Sequence, residues 1–391
     1  MLTNSQSNLP GVLIYAPHLL PAGQHYVREH AMRLQRYQPA LAGRRRVPGT
    51  PIDDLPSFSF ASARFREFRF LLTGNDSELS NFVQRHNVKI IHAHFGPGGV
   101  EIMPVAARLG IPLVVTFHGW DVRLGAETAA HRSPYERLYR WRLPRLFHQS
   151  SAIICVSQTW RDRVLTLGCP PQKVHTNYLG VDSQFFDGVR GEFDPLSMIY
   201  VGRLLRQKGV HILLEALRQL RIRQISAHLT VVGDGPERPH LQHIAVEQNL
   251  PVRFLGQRTL EEIRELLRVA AVLCAPSTTL GGESPEALGL VLLEAQAMGV
   301  PVVATRNGGI PETLQDRRTG FLVDQGSSAA LADALATLLC DPSLNRTFGQ
   351  NARAFVCDRF DIARCYRALE DLYDDIHHDH AMRPARAFAF A

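Results

Sequence analysis

Two successive series of short, almost wholly apolar runs, alternating with helical stretches, constrain this chain more than any other feature. In the first series the runs fall at residues 11–16, 88–93, 113–117 and 152–156. None alternates apolar with polar residues. Each therefore reads as a strand buried on both faces, which is the mark of a parallel sheet covered by helices. The pattern lapses over 180–195, which holds Gly188, Gly191 and Pro195 and predicts a linker between domains. A second series follows at 197–202, 229–233, 252–256, 272–275, 302–305 and 320–323, with amphipathic helices over 210–220 and 261–269. A chain of 391 residues suits two such domains better than one core. The expected architecture is α/β, with two Rossmann-like doubly wound domains facing a cleft. The first domain spans 1–185 and the second 186–365. A C-terminal helix and tail over 366–391 is placed against the first domain. Sheets of this type bind ligands at the carboxyl ends of their strands.

Composition narrows the class. Hydrophobic residues make up 45% and charged residues 20%, as in soluble globular proteins. No apolar run approaches the ~18–20 residues that span a bilayer. The first residues lack the basic-then-apolar order of a secretory signal. Six scattered cysteines without a C-x-x-C pair fit a reducing compartment, so a cytoplasmic location is expected. Residues 1–185 carry 21 basic and 12 acidic side chains, whereas 186–391 carry 22 and 25. The basic half fits an anionic partner such as a phospholipid surface. Arg137, Arg140, Arg142 and Arg145, interleaved with Tyr139, Trp141 and Phe147, give that idea a segment, peripheral at the inner face of the cell membrane. The plainer alternative is a helix packing its aromatics into the core, and Pro144 is expected to interrupt it. Nothing in the sequence marks a nucleic-acid partner.

The strongest chemical signal lies between Glu286 and Glu294, with Gly289 between them. A helix starting near Leu290 and stopping at Gly299 would aim its first free N–H groups at the strand ends, a site suited to a diphosphate. Glu294 lies one turn inside and Glu286 on the preceding loop, so the pair can address two parts of one ligand. Alternatively they are two surface glutamates at a buried helix start. A second signal, Gly202-Arg203-Leu204-Leu205-Arg206-Gln207-Lys208-Gly209, follows the first strand of the second series. Arg203 and Lys208 there would stabilise charge growing on a diphosphate as a glycosidic bond breaks. The alternative is a solvated basic turn. Lys208 is one of only three lysines in an arginine-rich chain, which weighs against accident.

With these residues in place, the chain resembles the retaining glycosyltransferases of family 4, which adopt the B-type glycosyltransferase (GT-B) fold. Gly233-Asp234-Gly235, Phe254-Leu255-Gly256, Pro276-Ser277, Gly299-Val300-Pro301 and Gly308-Gly309-Ile310-Pro311-Glu312 keep the family order. The likeness is specific over 197–325, fair through His92-Ala93-His94 and Thr116-Phe117-His118-Gly119-Trp120-Asp121, and weak before residue 85. The resemblance implies that Arg203 and Lys208 hold the donor diphosphate, Glu286 the transferred sugar and Glu294 the ribose. It implies that the amides of Gly289, Leu290 and Val291 receive the phosphates, and that His118 stands at the reacting face of the first domain. Gly202, Gly233, Gly235, Phe254 and Leu255 would line the donor site. It further implies transfer of a hexose from a UDP- or GDP-linked sugar to a polysaccharide or lipid-linked saccharide acceptor, without a cofactor or metal. No D-x-D motif is present. Family members carry a Gly-Gly turn after the first strand. This chain has Leu20-Pro21-Ala22-Gly23-Gln24, leaving Gly23 as the candidate.

Two rival readings remain open: a non-catalytic nucleotide-sugar-binding protein, and an epimerase or phosphorylase of the same fold. His92 and His94 alternate at a strand end and would suit a metal, but no third ligand is in view. His377, His378 and His380 fall near the tail. Neither a dinucleotide fingerprint, a P-loop nor a nucleophile elbow is present.

Overall fold

In a computed structural model the chain is described over residues 9–19, 25–47, 54–60, 64–126, 133–279 and 284–382. It divides into two compact units. One comprises residues 1–178 together with 365–391, the other 179–364.

The first unit is built on seven parallel strands: β1 Gly11–Leu19, β2 Gln38–Arg46, β3 Ser57–Ser59, β4 Val88–His94, β5 Leu113–Phe117, β6 Ala152–Cys155 and β7 Val174–Thr176. Their order is β3-β2-β1-β4-β5-β6-β7. The centre of the sheet is as apolar as its sequence: every residue of β5 and β6 is buried. Leu13, Tyr15, Ile91, Val115 and Ile153 face one shared core with Val100, Leu146 and Phe147 from the covering helices. The helix Pro134–Gln149 starts at a capping box, in which Ser133 and Glu136 bond each other's amides. It runs through Pro144 without stopping, which corrects the expected break there. Tyr139, Leu143, Leu146 and Phe147 on one face are buried, and that packing holds the helix together across the missing N–H. Trp141 stands 76% exposed on the other face.

The second unit repeats the plan with six strands: β8 Ser197–Val201, β9 His228–Val232, β10 Val252–Gly256, β11 Val272–Ala275, β12 Val302–Thr305 and β13 Gly320–Val323. The order is β10-β9-β8-β11-β12-β13, again all parallel. The helix Val210–Ile222 buries Leu213, Leu214, Leu217 and Leu220 against this sheet. Both sheets reverse strand order beside their first strand, between β1 and β4 and between β8 and β11. Those are the switch points where open α/β sheets take ligands.

The two compact units divide at 178/179. Val181 donates its N–H to the Phe360 carbonyl at 2.8 Å and accepts from the Ile362 N–H at 2.9 Å, which ties 179–185 to the second unit. The helix Ile362–Met382 belongs to the first unit from Cys365 onward. It anchors there through Glu370, whose carboxylate accepts from the amides of Gln35 and Arg36, each at 2.7 Å. The helix continues to Met382. All six cysteines are free. Among the described residues no helix is long and apolar enough to cross a membrane.

Candidate functional site

In the second unit the loops after β8 and β11 and the start of one helix gather the residues singled out in the sequence. The chain leaves β8 at Gly202 and turns through 206–208 to Gly209, whose φ of 69° is left-handed. A Cβ on Gly209 would stand 1.9 Å from the Pro276 carbonyl oxygen, so only glycine lets the two loops meet. The Thr278 N–H then donates to the Gln207 carbonyl at 2.7 Å. This brings Lys208 and Glu286, 78 residues apart in sequence, into an ion pair with Nζ 2.5 Å from Oε1. The Ser277 hydroxyl donates to the same oxygen at 2.6 Å. Burial pushes the Glu286 carboxyl up. The Lys208 charge and the bonds from Lys208 and Ser277 outweigh it and hold the group below its ordinary value. The Glu286 N–H donates to Asn307 Oδ1 at 2.8 Å, and its carbonyl accepts from Gly309 at 3.1 Å. Gly308, at a φ of 52°, permits this approach, because a Cβ there would lie 2.1 Å from the Glu286 carbonyl oxygen.

The helix Leu290–Ala297 begins immediately after Gly289, which takes a left-handed φ of 91°. No described residue accepts a bond from the N–H of Leu290 or Val291, so two donors and the positive end of the helix dipole stand open. Glu294, one turn in, is half-buried, and its carboxylate has no hydrogen-bond partner among the described residues. Burial pushes its carboxyl up to about 7. Arg203 is exposed and also has no described partner for its guanidinium. Gly233, at a φ of 126°, leaves room for the Gly202 carbonyl, 1.9 Å from where its Cβ would be. Gly235 does the same for the Leu204 carbonyl at 2.4 Å. At β10 the Phe254 side chain is half-buried and packs against the core. Leu255 is half-buried at the strand end. Gly23 lies outside the described residues.

In the first unit His118 follows β5 at the carboxyl edge of the sheet. Its N–H donates to the Asp121 carboxylate at 3.0 Å. That carboxylate also accepts from the amides of Gly96 at 2.9 Å and Val122 at 3.1 Å. Burial pushes the Asp121 carboxyl up to about 6 despite these bonds. The rings of Phe95 and Tyr26 lie 4.6 and 4.8 Å from the imidazole. His30, from the helix His25–Arg33, supplies the third histidine that sequence reading lacked. One nitrogen from each of His30, His92 and His94 falls within 4.8 Å of the others. The H-x-H alternation marked two of these residues, but nothing local marked His30, 62 positions before His92. His377, His378 and His380 lie on the C-terminal helix and take no part.

Comparison with known proteins accords with this arrangement. Solved structures with the same fold include HepE of Anabaena in complex with UDP, at a TM-score of 0.76 and 21% identity, covering 93% of this chain and 100% of that one. Sucrose-phosphate synthase of Thermosynechococcus elongatus matches with a TM-score of 0.76 and 22% identity, over 94% of this chain and 100% of its own. The fold is therefore GT-B. Residues 24–185 match the Glycosyltransferase Family 4 model and residues 186–355 the model for Glycosyl transferases group 1, so the chain belongs to the family 4, group 1 glycosyltransferases. A putative colanic acid biosynthesis glycosyltransferase of Salmonella typhimurium is 32% identical over 62% of this chain. The chain spans 60% of the length of that relative. The amylovoran biosynthesis glycosyltransferase of Erwinia amylovora is 29% identical over 73% of this chain and 70% of its own length.

Proposed function

We propose that the protein transfers a hexose, with retention of configuration and without a metal, from a nucleoside-diphosphate sugar to a saccharide or lipid-linked saccharide acceptor in exopolysaccharide assembly. One observation carries the reading. Two open helix amides, the Lys208 ammonium and the Arg203 guanidinium all flank the carboxyl ends of β8 and β11. That is a charge sink for a pyrophosphate leaving group. As the anomeric bond lengthens, negative charge moves onto the diphosphate. These groups stabilise it more than they stabilise the intact donor, which lowers the barrier. They supply what a bound divalent cation supplies elsewhere.

The two glutamates divide the remaining recognition. Glu286 is held ionised by Lys208 and Ser277 at one oxygen, and an anchored carboxylate of this kind suits sugar hydroxyls. Glu294 has no competing partner and suits the ribose hydroxyls. His118 is the group the first unit offers to the sugar. The colanic acid and amylovoran relatives support an exopolysaccharide setting. The UDP complexes of HepE support a uridine donor, with a guanosine donor as the alternative in the test. Association with an anionic membrane surface rests on the basic face around Trp141.

The test is a thermal-shift panel of UDP- and GDP-sugars followed by product analysis. A ligand that binds only the folded state raises the melting temperature. Stabilisation by one nucleotide sugar, and transfer with chelator present, is the expected result. Binding without transfer to any saccharide acceptor would make the chain a nucleotide-sugar-binding protein instead.

A further inference from the structure

Five side chains behind His118 form a single hydrogen-bonded file inside the first unit. The Thr116 hydroxyl meets His92 Nε2 at 2.6 Å. His92 Nδ1 meets the Tyr373 hydroxyl, which also meets His30 Nε2 at 2.9 Å. His30 Nδ1 meets His94 Nε2 at 2.9 Å, and His94 Nδ1 meets His118 Nε2 at 2.9 Å. Thr116, His92, His94 and His30 are all at least nine-tenths buried, and Tyr373 is fully so. Every nitrogen of His30, His92 and His94 is thus engaged by a neighbour, and none is left to turn toward a shared metal.

A neutral imidazole carries one N–H and one bare nitrogen. Burial and the neighbouring imidazoles favour the neutral form at His30, His92 and His118, and burial does so at His94. In such a file every donor must point the same way: a reversal between two rings sets two protons or two lone pairs face to face, and a reversal at Tyr373, whose oxygen would then accept from both His92 and His30, leaves the buried phenol proton unbonded. Two arrangements satisfy this. Either all four histidines are Nδ1–H tautomers, or all four are Nε2–H. The end of the file selects between them. The Thr116 hydroxyl has no other acceptor among the described residues. It donates to His92 Nε2 in the first arrangement and buries an unbonded proton in the second.

We infer that Thr116, His92, Tyr373, His30 and His94 are positioning residues that hold His118 as its Nδ1–H tautomer, so that its open edge presents a proton donor rather than a base. His118 Nδ1 has no partner among the described residues, and that N–H is free for a ligand oxygen. The link to turnover rests on the placement of His118 at the sugar. The imidazole then donates to a sugar hydroxyl and orients it, and it does not remove the acceptor's proton.

The test uses the full chain labelled with 15N-histidine, its signals assigned from single His→Gln variants. Long-range proton–nitrogen correlation at pH 7.5 reads each tautomer. The expected result is four neutral Nδ1–H rings. Tyr373→Phe keeps the ring and removes the central hydroxyl. His30, His94 and His118 should then show mixed tautomers, with kcat down about tenfold if about one-tenth of the molecules stay competent. The donor KM should not move. Thr116→Val should give the same signature from the far end, and Thr116→Ser should restore it, which covers the case where Tyr373→Phe fails to fold. Mixed or uniform Nε2–H tautomers in the unmodified protein overturn the inference. So does stoichiometric uptake of zinc with loss of the His30, His92 and His94 signals. Uniform Nδ1–H tautomers with unaltered turnover in Tyr373→Phe would remove His118 from the sugar, overturning that link while leaving donor binding by the second unit intact.

Discussion

Lys208→Ala separates the two tasks given to one side chain. Removing the ammonium takes a cation from the leaving group. Loss of one such preorganised charge costs roughly 10²–10³ in turnover. It also removes the ion-pair partner of Glu286, while the bond from Ser277 stays. Breaking a fully buried ion pair costs about 3–5 kcal/mol. Here the side chains are 28% and 15% exposed, so solvent screens part of the loss, and about 1–2 kcal/mol is expected. For a unit of this size that lowers Tm by roughly 2–8 °C. The pH dependence follows from Glu286. With Lys208 present its folded pKa lies below the unfolded value, so the pair adds stability above that value and loses it on acidification. Without Lys208 burial dominates and the folded pKa rises. The variant's deficit should therefore be larger at pH 8 than at pH 4. Donor-saturated transfer assays and pH-resolved thermal melts read both effects. Adding Glu286→Gln should recover Tm without recovering transfer. Near-normal transfer by Lys208→Ala, or a deficit that grows on acidification, would refute the reasoning.

Arg203→Ala should lower transfer by about tenfold or more and leave Tm unchanged, since its guanidinium bonds to no described residue; a fall in Tm would reveal a structural role. Gly308→Ala forces a Cβ against the Glu286 carbonyl at a left-handed φ, so it should cost about 1–3 kcal/mol and weaken donor binding in thermal-shift titrations. Glu294 has a raised folded pKa of about 7, so its ionisation opposes folding as pH climbs from its unfolded value through 7. Glu294→Gln should therefore raise Tm at pH 8 more than at pH 5, while weakening nucleotide binding in calorimetry.

The second unit was largely legible in the sequence because its strands are buried on both faces and read as continuous apolar runs. In the first unit β2 escaped: Gln38, Arg44, Arg45 and Arg46 interrupt a run whose middle alone is buried. β3 and β7 are three residues each, too short to carry a period. Pro144 misled because local chemistry predicts a break and tertiary packing overrides it. Within the site, the glycines and cations announced themselves by spacing. The Lys208–Glu286 pair did not, since its partners meet only after β8 and β11 lie side by side. His30 and Tyr373 were further out of reach, 343 residues apart and joined by the fold alone.

The helix Ile362–Met382 has a consequence for synthesis. The unit begun first on the ribosome is finished last, since Glu370 and Tyr373 reach it only after the entire second unit has been made. Units generally fold as wholes and in order of emergence. Here the later one can close while the earlier one waits with His30 and His92 lacking the phenol between them. A chain truncated at residue 364 would carry one finished lobe and one open one, and protease sensitivity confined to the N-terminal portion is the signature it should leave.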